Sequence, residues 1–319
     1  MDWRANLATY LDRQLPSADG VALGELSGMP AGASNDTIGV DIVVRTGDRD
    51  HTIPMVLRPE RREGILAPYD ISRQFRVMRA LARTDVPVPS VAWLERDPSI
   101  IGAPFFFMTR ERGETLPLFW YGGRSPRLEA VAKALATVHA VDWRRAGLDF
   151  LLPSAEAPSP LESDLAAWRA RASHARIDRA PLLVTLGDFL RRNEPADARY
   201  AFLHGDPNPG NYLVEGDLVT AVLDWEVASI GDPRADLGFY SALLTVFGGV
   251  PVPDGHTVLS EAYQAVTGTP LHNLAYYEGV GLYKMAIVLV GWTGRVGFGL
   301  GLNPIARRLS VLFGPRWAE

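Results

Sequence analysis

Four polar residues between positions 204 and 224 have the types and the spacing that phosphoryl transfer from ATP requires. Asp206 lies two residues after His204, and Asn211 follows Asp206 by five residues. Asp224 comes thirteen residues after Asn211. This chemistry needs one carboxylate to orient the attacking hydroxyl group, and a neutral oxygen plus a second carboxylate to hold Mg²⁺ against the β- and γ-phosphates. We expect a catalytic loop followed by a short hairpin that returns the second carboxylate to the same site.

Each residue of this set has an expected role. Asp206 is the predicted catalytic group, which accepts or orients the proton of the substrate hydroxyl largely through its position and charge. Asn211 offers a carbonyl oxygen and Asp224 a carboxylate, and Mg²⁺ prefers a few such oxygens together with phosphate and water. His204 is a second catalytic candidate, although bracing the turn by hydrogen bonds is its favoured role. Glu226 lies two residues after Asp224 and would share its side of an extended segment, as a further metal ligand or as a solvated carboxylate.

A polar turn is the alternative interpretation of a His-Gly-Asp tripeptide, but longer motifs surround it here. They resemble the aminoglycoside phosphotransferase (APH) family of kinase-like small-molecule phosphotransferases. The matching segments are HGDPNPGN at 204–211, LDWEVASIGDPRADL at 223–237 and YYE at 276–278. Their combination is most similar to a subgroup related to the kinase domains attached to some acyl-CoA dehydrogenases.

The resemblance implies an α+β, two-lobed, protein-kinase-like fold. An N-terminal antiparallel sheet plus a helix would form the smaller lobe, and a larger, mainly helical C-terminal lobe would carry the catalytic loop. The implied cofactors are ATP or GTP and Mg²⁺. Asp232 and Asp236, in the second motif, are predicted to be structural, Asp236 as a brace for the catalytic loop.

Composition limits the classes of protein to which the chain can belong. Its 319 residues are 47% hydrophobic, which suffices for one large or two modest domains with apolar cores. The net charge of −5 argues against a nucleic-acid partner, and the absence of cysteine excludes thiol chemistry. The most apolar late stretch, 285–292, is far shorter than the roughly 20 residues of a bilayer span, and the N-terminus lacks a signal-peptide core. We therefore expect a cytoplasmic protein with no membrane partner.

The predicted elements follow the order of a two-lobed kinase. In the first part we expect a helix at 3–15, strands and turns at 23–58, a helix from its cap at Asp70 to Arg83, and strands at 91–94 and 104–109. The second part is predicted to contain helices at 128–141, 161–174 and 179–193, the catalytic hairpins, and helices near 234–247, 256–267, 273–296 and 303–313. The resulting division is a nucleotide-binding lobe at 1–108, a hinge at 109–113 and a catalytic and substrate-binding lobe at 114–319.

The predicted nucleotide site departs from the usual kinase pattern at two positions. Kinases pair a strand lysine with a helix glutamate to hold the α- and β-phosphates, but this chain has no lysine before residue 133. Arg58 occupies the strand position and can bind phosphate bidentately with a permanent charge. Gln74 occupies the helix position and offers Arg58 a neutral hydrogen bond, while Glu60 and Glu63 are candidates to compensate.

Further cofactor contacts are expected from a loop and from the hinge. Ser34 and Asn35 lie among small residues, where they would donate to phosphate oxygens or form an ordinary hairpin turn. The backbone around the hinge would face adenine, although the phenylalanine run before it is more typical of a core strand. The hinge residues predicted to bind the cofactor are Met108, Thr109, Arg110 and Glu111.

The charge balance of the C-terminal segment bears on the acceptor, because the resemblance implies that substrates rest on helices of this lobe. Polycations such as aminoglycosides need many carboxylates, but residues 240–319 contain four acidic and five basic residues. The segment is also aromatic, which suits a neutral or anionic acceptor with apolar parts and equally suits a helical core. The residues predicted to contact the substrate are Tyr277, Glu278, Lys284 and Arg295.

Three functions are consistent with these features. The favoured one is ATP- and Mg²⁺-dependent phosphorylation of a hydroxyl group on a small molecule, with a hydroxyacyl compound as one candidate. The second is an aminoglycoside or macrolide antibiotic kinase, where macrolides fit the apolar segment better. The third is a nucleotide-binding pseudokinase, which Arg58 and Gln74 favour and which the intact Asp206, Asn211 and Asp224 oppose.

Overall fold

The structure is a computed structural model that describes residues 2–28, 37–64, 66–120, 122–153, 159–250, 252–296, 303–314 and 317, with the backbone alone at 290–296. Its first part is an antiparallel sheet of five strands, which are Gly20–Gly28 (β1), Ile38–Thr46 (β2), Arg49–Pro59 (β3), Val91–Glu95 (β4) and Phe105–Thr109 (β5). The strand order is β1-β2-β3-β5-β4. Two helices accompany the sheet, Trp3–Gln14 (α1) and Ile71–Leu81 (α2).

The phenylalanine run in β5 divides the apolar residues of this sheet between two cores. Successive side chains of a strand point to opposite faces. Phe105 and Phe107 accordingly pack in a cluster with Leu11 of α1, whereas Phe106 and Met108 belong to the larger core, which includes α2. The run is therefore a core strand that joins a helix on each face of the sheet.

The second part of the chain contains two small sheets. One has the strands Glu114–Thr115 (β6), Tyr212–Glu215 (β8) and Leu218–Val222 (β9) in the order β6-β8-β9. The other pairs Ala201–Leu203 (β7) with Ser229–Gly231 (β10) in antiparallel fashion. The chain passes from the five-stranded sheet into the first of these between Thr109 and Glu114.

Seven helices of the described residues surround these sheets. They are Pro126–His139 (α3), Pro160–His174 (α4), Pro181–Arg192 (α5), Arg234–Leu243 (α6), Val258–Thr267 (α7), Leu274–Val296 (α8) and Asn303–Phe313 (α9). A π-helical turn, Leu244–Gly248, continues α6. The architecture confirms the predicted α+β class with two lobes. No helix in the ranges described here combines the length and the apolarity that crossing a bilayer demands.

Local signals explain where the helices start. Asp70 caps α2 as predicted, because its carboxylate accepts a hydrogen bond from the backbone N–H of Arg73 at 2.9 Å. Helix α3 begins two residues earlier than predicted, since Ser125 caps it and Pro126 occupies the first turn. Ser159 and Pro160 repeat this arrangement at α4.

Helices α6 and α8 cross at two glycines, which bring their backbones together. A Cβ atom on Gly238 would lie 2.1 Å from the carbonyl oxygen of Tyr277, and one on Gly281 would lie 2.4 Å from that of Gly238. Any larger residue would force the helices apart. This crossing holds α6, and with it the residues that support the catalytic loop, against the buried helix α8.

Candidate active site

Two asparagines of the loop between β7 and β8 hold Asp206 in place, one through its carboxylate and one through its backbone carbonyl group. The side-chain amide of Asn208 donates to Asp206 Oδ1 at 2.8 Å, and that of Asn211 donates to the Asp206 carbonyl oxygen at 2.8 Å. Asn208 is buried and also accepts from Gly210 N at 2.9 Å. Asn208 is not among the residues predicted from the sequence, although an asparagine between two prolines beside the catalytic residue is a recognisable turn signal.

His204 connects this loop to the segment that carries Asp224. Its ring is fully buried, with Nε2 2.8 Å from the carbonyl oxygen of Leu223. Its Nδ1 accepts a hydrogen bond from the backbone N–H of Asp206 at 3.2 Å, and the ring lies 4.6 Å from that of Trp225. Because backbone groups use both ring nitrogens, the geometry favours the bracing role over direct participation in proton transfer.

Asp236 supports the catalytic loop through hydrogen bonds, which confirms its predicted role as a brace. Its two carboxylate oxygens accept from the backbone N–H groups of His204 and Gly205, both at 2.9 Å. Its Oδ2 also lies 3.0 Å from Nε2 of His139. Burial alone would raise the pKa of Asp236, but the hydrogen bond with His139 and the nearby positive charge of Lys284 hold it below its usual value. Gly205 has φ of +88°, and a Cβ there would lie 2.3 Å from the carbonyl oxygen of Val227, so only glycine fits.

Asn211 and Asp224 offer the oxygen atoms that a magnesium ion prefers. Since the Asn211 amide nitrogen is committed to the Asp206 carbonyl, its Oδ1 remains as the acceptor. Asp224 adopts a left-handed conformation, with φ of 64° and ψ of 64°, which aspartate tolerates better than most residues. Burial raises the pKa of the Asp206 carboxyl, and the negative charge of Asp224 adds to that rise. A cation held by Asp224 would offset the repulsion between the two carboxylates.

Glu226 does not share the side of Asp224, and the predicted extended segment is wrong. Trp225–Val227 forms a 3₁₀ turn, in which successive residues rotate by about 120°. Burial lowers the pKa of Arg171, and the negative charge of Glu226 opposes that shift. Among the residues the structure describes, no three histidine or acidic side chains cluster as metal ligands. The turn therefore removes the argument by which Glu226 was predicted as a metal ligand, whereas Asn211 and Asp224 stay predictions.

Arg58 reaches this site from the other lobe. Its Nη2 lies 2.8 Å from Asp224 Oδ1, and its Nη1 lies 3.3 Å from the hydroxyl oxygen of Thr37. Gln74 is buried, but the hydrogen bonds of Arg58 go to Asp224 and Thr37 rather than to the predicted partner. Glu60 also does not compensate, because its carboxylate accepts from Ile71 N at 2.8 Å and so caps α2. Ser34 and Asn35 lie outside the described residues.

The predicted hinge residues follow the last strand of the five-stranded sheet. Met108 is an interior position, paired with Val56 on one side and Val91 on the other. The backbone N–H of Thr109 donates to Ser90 at 2.9 Å, and that of Arg110 donates to Pro54 at 3.4 Å. The Arg110 guanidinium lies 3.0 Å from Asp41, and the Thr109 hydroxyl bonds the carboxylate of Glu111. These residues are thus anchored to the sheet at the point where the chain leaves it.

Three of the four residues predicted to contact substrate lie in the helical core instead. Lys284 is fully buried with its Nζ 2.6 Å from Asp164 Oδ2. Glu278 is fully buried and pairs with Arg308 at 2.6 Å, and the Tyr277 ring stacks under the Arg234 guanidinium. The geometry gives Tyr277, Glu278 and Lys284 a packing role and does not support a substrate role. The side chain of Arg295 lies outside the described residues.

An apolar pocket of about 470 Å³ adjoins the catalytic loop. Its walls are Pro117, Leu118, Phe119, Trp120 and Gly122. A Cβ atom on Gly210 of the loop would lie 3.6 Å from Cα of Leu118, so loop and pocket are in contact. Two hydrogen bonds hold Trp120 in place. Its indole N–H donates to the carbonyl oxygen of Gly123 at 3.0 Å, and its backbone N–H donates to the Tyr240 hydroxyl at 3.1 Å.

Comparisons with known sequences agree with these features. The model of the phosphotransferase enzyme family (APH) matches residues 25–265. Acyl-CoA dehydrogenase family member 10 from Mus musculus is 32% identical over 224 residues, which cover 67% of this chain and 20% of that protein. Acyl-CoA dehydrogenase family member 11 from Gallus gallus is 28% identical over 316 residues, which cover 90% of this chain and 39% of that protein. The chain thus spans well under half the length of these curated relatives.

Solved structures share the fold over nearly the whole chain. A provisionally assigned aminoglycoside phosphotransferase from Ralstonia eutropha JMP134 has a TM-score of 0.66 and 25% identity, covering 98% of this chain and 97% of that one. Macrolide 2'-phosphotransferase MphH from Brachybacterium faecium has a TM-score of 0.54 and 22% identity, covering 97% and 98%. Aminoglycoside phosphotransferase APH(4)-Ia, in a ternary complex with ADP and hygromycin B, has a TM-score of 0.58 and 16% identity, covering 97% and 98%.

The identities to the last two structures are low enough that they establish the fold alone. The family model, however, matches more than half of the chain and includes the catalytic loop and the Asp224 segment. The resemblance inferred from the motifs is therefore confirmed. The chain belongs to the phosphotransferase enzyme family (APH).

Proposed function

We propose that this phosphotransferase transfers a phosphoryl group from ATP, with Mg²⁺, to a hydroxyl group of a small, partly apolar molecule that is neutral or anionic. The observation that carries the proposal is the convergence of Asp206, Asn211 and Asp224 with Arg58, which comes from the other lobe. A catalytic carboxylate, two oxygen ligands and a phosphate-binding cation are the parts that this reaction needs.

The residues present fit a magnesium ion. Asn211 Oδ1 and the Asp224 carboxylate would hold it, and few protein ligands are expected because Mg²⁺ keeps waters and binds substrate phosphates. When bound, the ion neutralises the negative charge that develops on the phosphates. Asp206, oriented by Asn208, would accept the hydrogen bond of the acceptor hydroxyl and direct that oxygen toward the phosphorus. Arg58 would exchange its bond with Asp224 for a bidentate contact with phosphate oxygens.

The nucleotide is proposed to bind between the two lobes, with 109–113 as the hinge between 1–108 and 114–319. The passage of the chain from one sheet to the other within this stretch supports that division. The ADP complex of the similarly folded APH(4)-Ia supports ATP as the donor.

The apolar pocket supports an acceptor with an apolar part. Its volume of about 470 Å³ lies within the range of roughly 300–1,000 Å³ that is usual for small-molecule sites. Leu118 is 45% exposed, so a ligand that covers it would gain the free energy of burying apolar surface. A hydroxyacyl compound is our candidate, and the names of the acyl-CoA dehydrogenase relatives favour testing it first.

The test is acceptor-dependent ADP formation by the purified chain with MgATP and MgGTP. The panel comprises hydroxy acids and hydroxyacyl-CoA thioesters of increasing chain length, a macrolide and an aminoglycoside, with product identified by the mass of one added phosphoryl group. We expect turnover to rise with acyl length. Turnover confined to an antibiotic would replace the proposed acceptor, and nucleotide binding without turnover of any acceptor would favour a pseudokinase.

The pocket has a matched pair of variants. Leu118→Gln should raise KM for apolar acceptors by about tenfold, as expected for losing roughly 1.5 kcal/mol of apolar burial, and should leave KM for MgATP unchanged. Leu218→Gln, at a leucine that is 68% exposed in the β8–β9 hairpin, should change neither constant. Equal effects of the two substitutions would remove the pocket from the acceptor site.

A further inference from the structure

Arg73 lies in the first turn of α2 and contacts the segment that follows Asp224. Its Nη1 donates to the carbonyl oxygen of Glu226 at 3.2 Å, and its Nη2 donates to the carbonyl oxygen of Ala228. One guanidinium therefore bridges two carbonyl groups within four residues of the proposed metal ligand. The backbone that these bonds hold forms the 3₁₀ turn Trp225–Val227 and the residue after it.

A second guanidinium, that of Arg171, contacts the same turn. Arg171 of α4 donates to the Glu226 carbonyl oxygen at 3.4 Å and to that of Leu66 at 3.0 Å. Burial lowers the pKa of Arg73 to about 10, with the adjacent charge of Arg171 as a smaller cause, so Arg73 stays charged at neutral pH. A cation is unfavourable at the N-terminal end of a helix, and two like charges repel. Contacts of Arg73 with the carbonyl oxygens offset these costs.

In the part of the chain that the structure describes, no ion pair joins Arg58 of the phosphate-binding strand to α2. Arg58 bonds Asp224, Gln74 carries no charge, and Glu60 caps the helix. We infer that Arg73 positions α2 on the metal-binding turn, and that its bonds to carbonyl oxygens replace the ion pair between strand and helix. The structural link stands by itself, whereas its effect on MgATP rests on the proposed function.

Hydrogen–deuterium exchange on the nucleotide-free protein tests the link directly. Arg73→Met should speed exchange at least threefold in peptides from both 71–81 and 224–231, because each segment loses its partner. Arg79→Met, at an exposed position on the same helix, is the matched control and should alter neither. Unchanged exchange in Arg73→Met, or faster exchange in α2 alone, would overturn the inference.

Steady-state kinetics provide the second readout. Two hydrogen bonds from a charged donor are lost in Arg73→Met, so KM for MgATP should rise about tenfold to a hundredfold, with KM for the acceptor within twofold. Arg73→Lys keeps the charge but cannot bridge two carbonyls, and it should be intermediate. It also serves as the test variant if Arg73→Met does not fold.

These outcomes separate the two proposals. A purely structural role for Arg73 would lower the melting temperature while leaving KM for MgATP unchanged, and this result would overturn the inference. Absence of acceptor-dependent ADP formation in the wild-type protein would overturn the proposed function instead. In that case the exchange experiment still decides whether Arg73 joins α2 to the turn.

Discussion

Arg58 and Asp224 form an ion pair with 2.8 Å between Nη2 and Oδ1, although 166 positions separate them in the chain. One residue belongs to strand β3 and the other begins the turn after β9, so the pair joins the two lobes. The side chains are only 9% and 19% exposed. The group proposed to bind phosphate thus pairs with the group proposed to bind metal. We expect MgATP to replace this contact with two new ones.

Asp224→Asn is expected to remove metal-dependent nucleotide binding. Asparagine keeps the size of the side chain and tolerates the left-handed backbone, so the fold should persist while the charged ligand is lost. We expect the increase in melting temperature caused by MgATP to fall to that caused by ATP with EDTA. Asp217→Asn, at an exposed turn position, is the control. An undiminished Mg²⁺-dependent increase would remove Asp224 from the metal site.

Arg58→Met should increase the stabilisation of the protein by Mg²⁺ alone and weaken the apparent affinity for MgATP. Without its cation, Asp224 becomes a better ligand, so Mg²⁺ alone should stabilise the variant more than the wild type. KM for MgATP should rise by about tenfold to a hundredfold, because charge-assisted bonds to phosphate are lost. Both quantities follow from melting curves and initial rates, with Arg45→Met as a surface control. A weaker response to Mg²⁺ alone would contradict the competition between the two contacts.

Asp206→Asn should slow turnover strongly and leave the binding of MgATP largely intact. A positioned proton acceptor typically contributes about 10²- to 10⁴-fold to the rate, so kcat should fall within that range. The dissociation constant of MgATP should stay within about threefold, since neither metal oxygen is removed. Rapid-quench measurement of ADP formation together with equilibrium binding checks both statements. Normal turnover would show that another group orients the acceptor hydroxyl.

Asp236 should contribute to stability in a pH-dependent manner. Its pKa in the folded protein lies below the usual value of about 3.9, so its contribution is complete above about pH 4 and is lost as pH falls through the folded pKa. Asp236→Asn should lower the free energy of unfolding by about 2–3 kcal/mol at pH 7. The difference from wild type should shrink between pH 4 and pH 3, as measured by urea unfolding. A constant difference would refute the assignment.

The stability of the protein should fall strongly when one partner of the buried Lys284–Asp164 pair is removed, but only slightly when both are replaced. Lys284→Met leaves a carboxylate unpaired in the core and should destabilise the protein by about 3–5 kcal/mol. The double variant Lys284→Met with Asp164→Asn should recover most of this loss, because the amide oxygen still accepts from Ser229, whose hydroxyl lies 2.7 Å from Asp164 in the wild type. Additive losses in chemical unfolding would contradict the coupling.

The parts of this fold that were predictable from sequence are those encoded locally. Asp70 and the apolar spacing after it identify α2, and the motif from His204 to Asn211 identifies the catalytic loop. The role of Asp236 also followed from the motif, because its spacing from the loop recurs in the family that the chain resembles. Each of these signals lies within a short stretch of neighbouring residues.

The parts that were missed depend on contacts between distant residues. Nothing near Lys284 reveals that Asp164 is its partner, so a buried pair was interpreted as a substrate contact. Glu226 was misplaced because the backbone after Asp224 turns instead of extending. Arg73 was overlooked, although an arginine in the first turn of a helix is unfavourable by itself and is therefore a signal of a partner elsewhere.

The burial of Lys284 has a practical consequence for chemical labelling. Lys133 and Lys284 are the only lysines of the chain, and Lys133 lies exposed on α3 whereas Lys284 is completely enclosed. Among the lysine side chains, acylating reagents should therefore modify Lys133 and spare Lys284. Nucleotide analogues designed to acylate the strand lysine of kinases will find a permanently charged, non-nucleophilic guanidinium there, so this enzyme should escape their covalent capture.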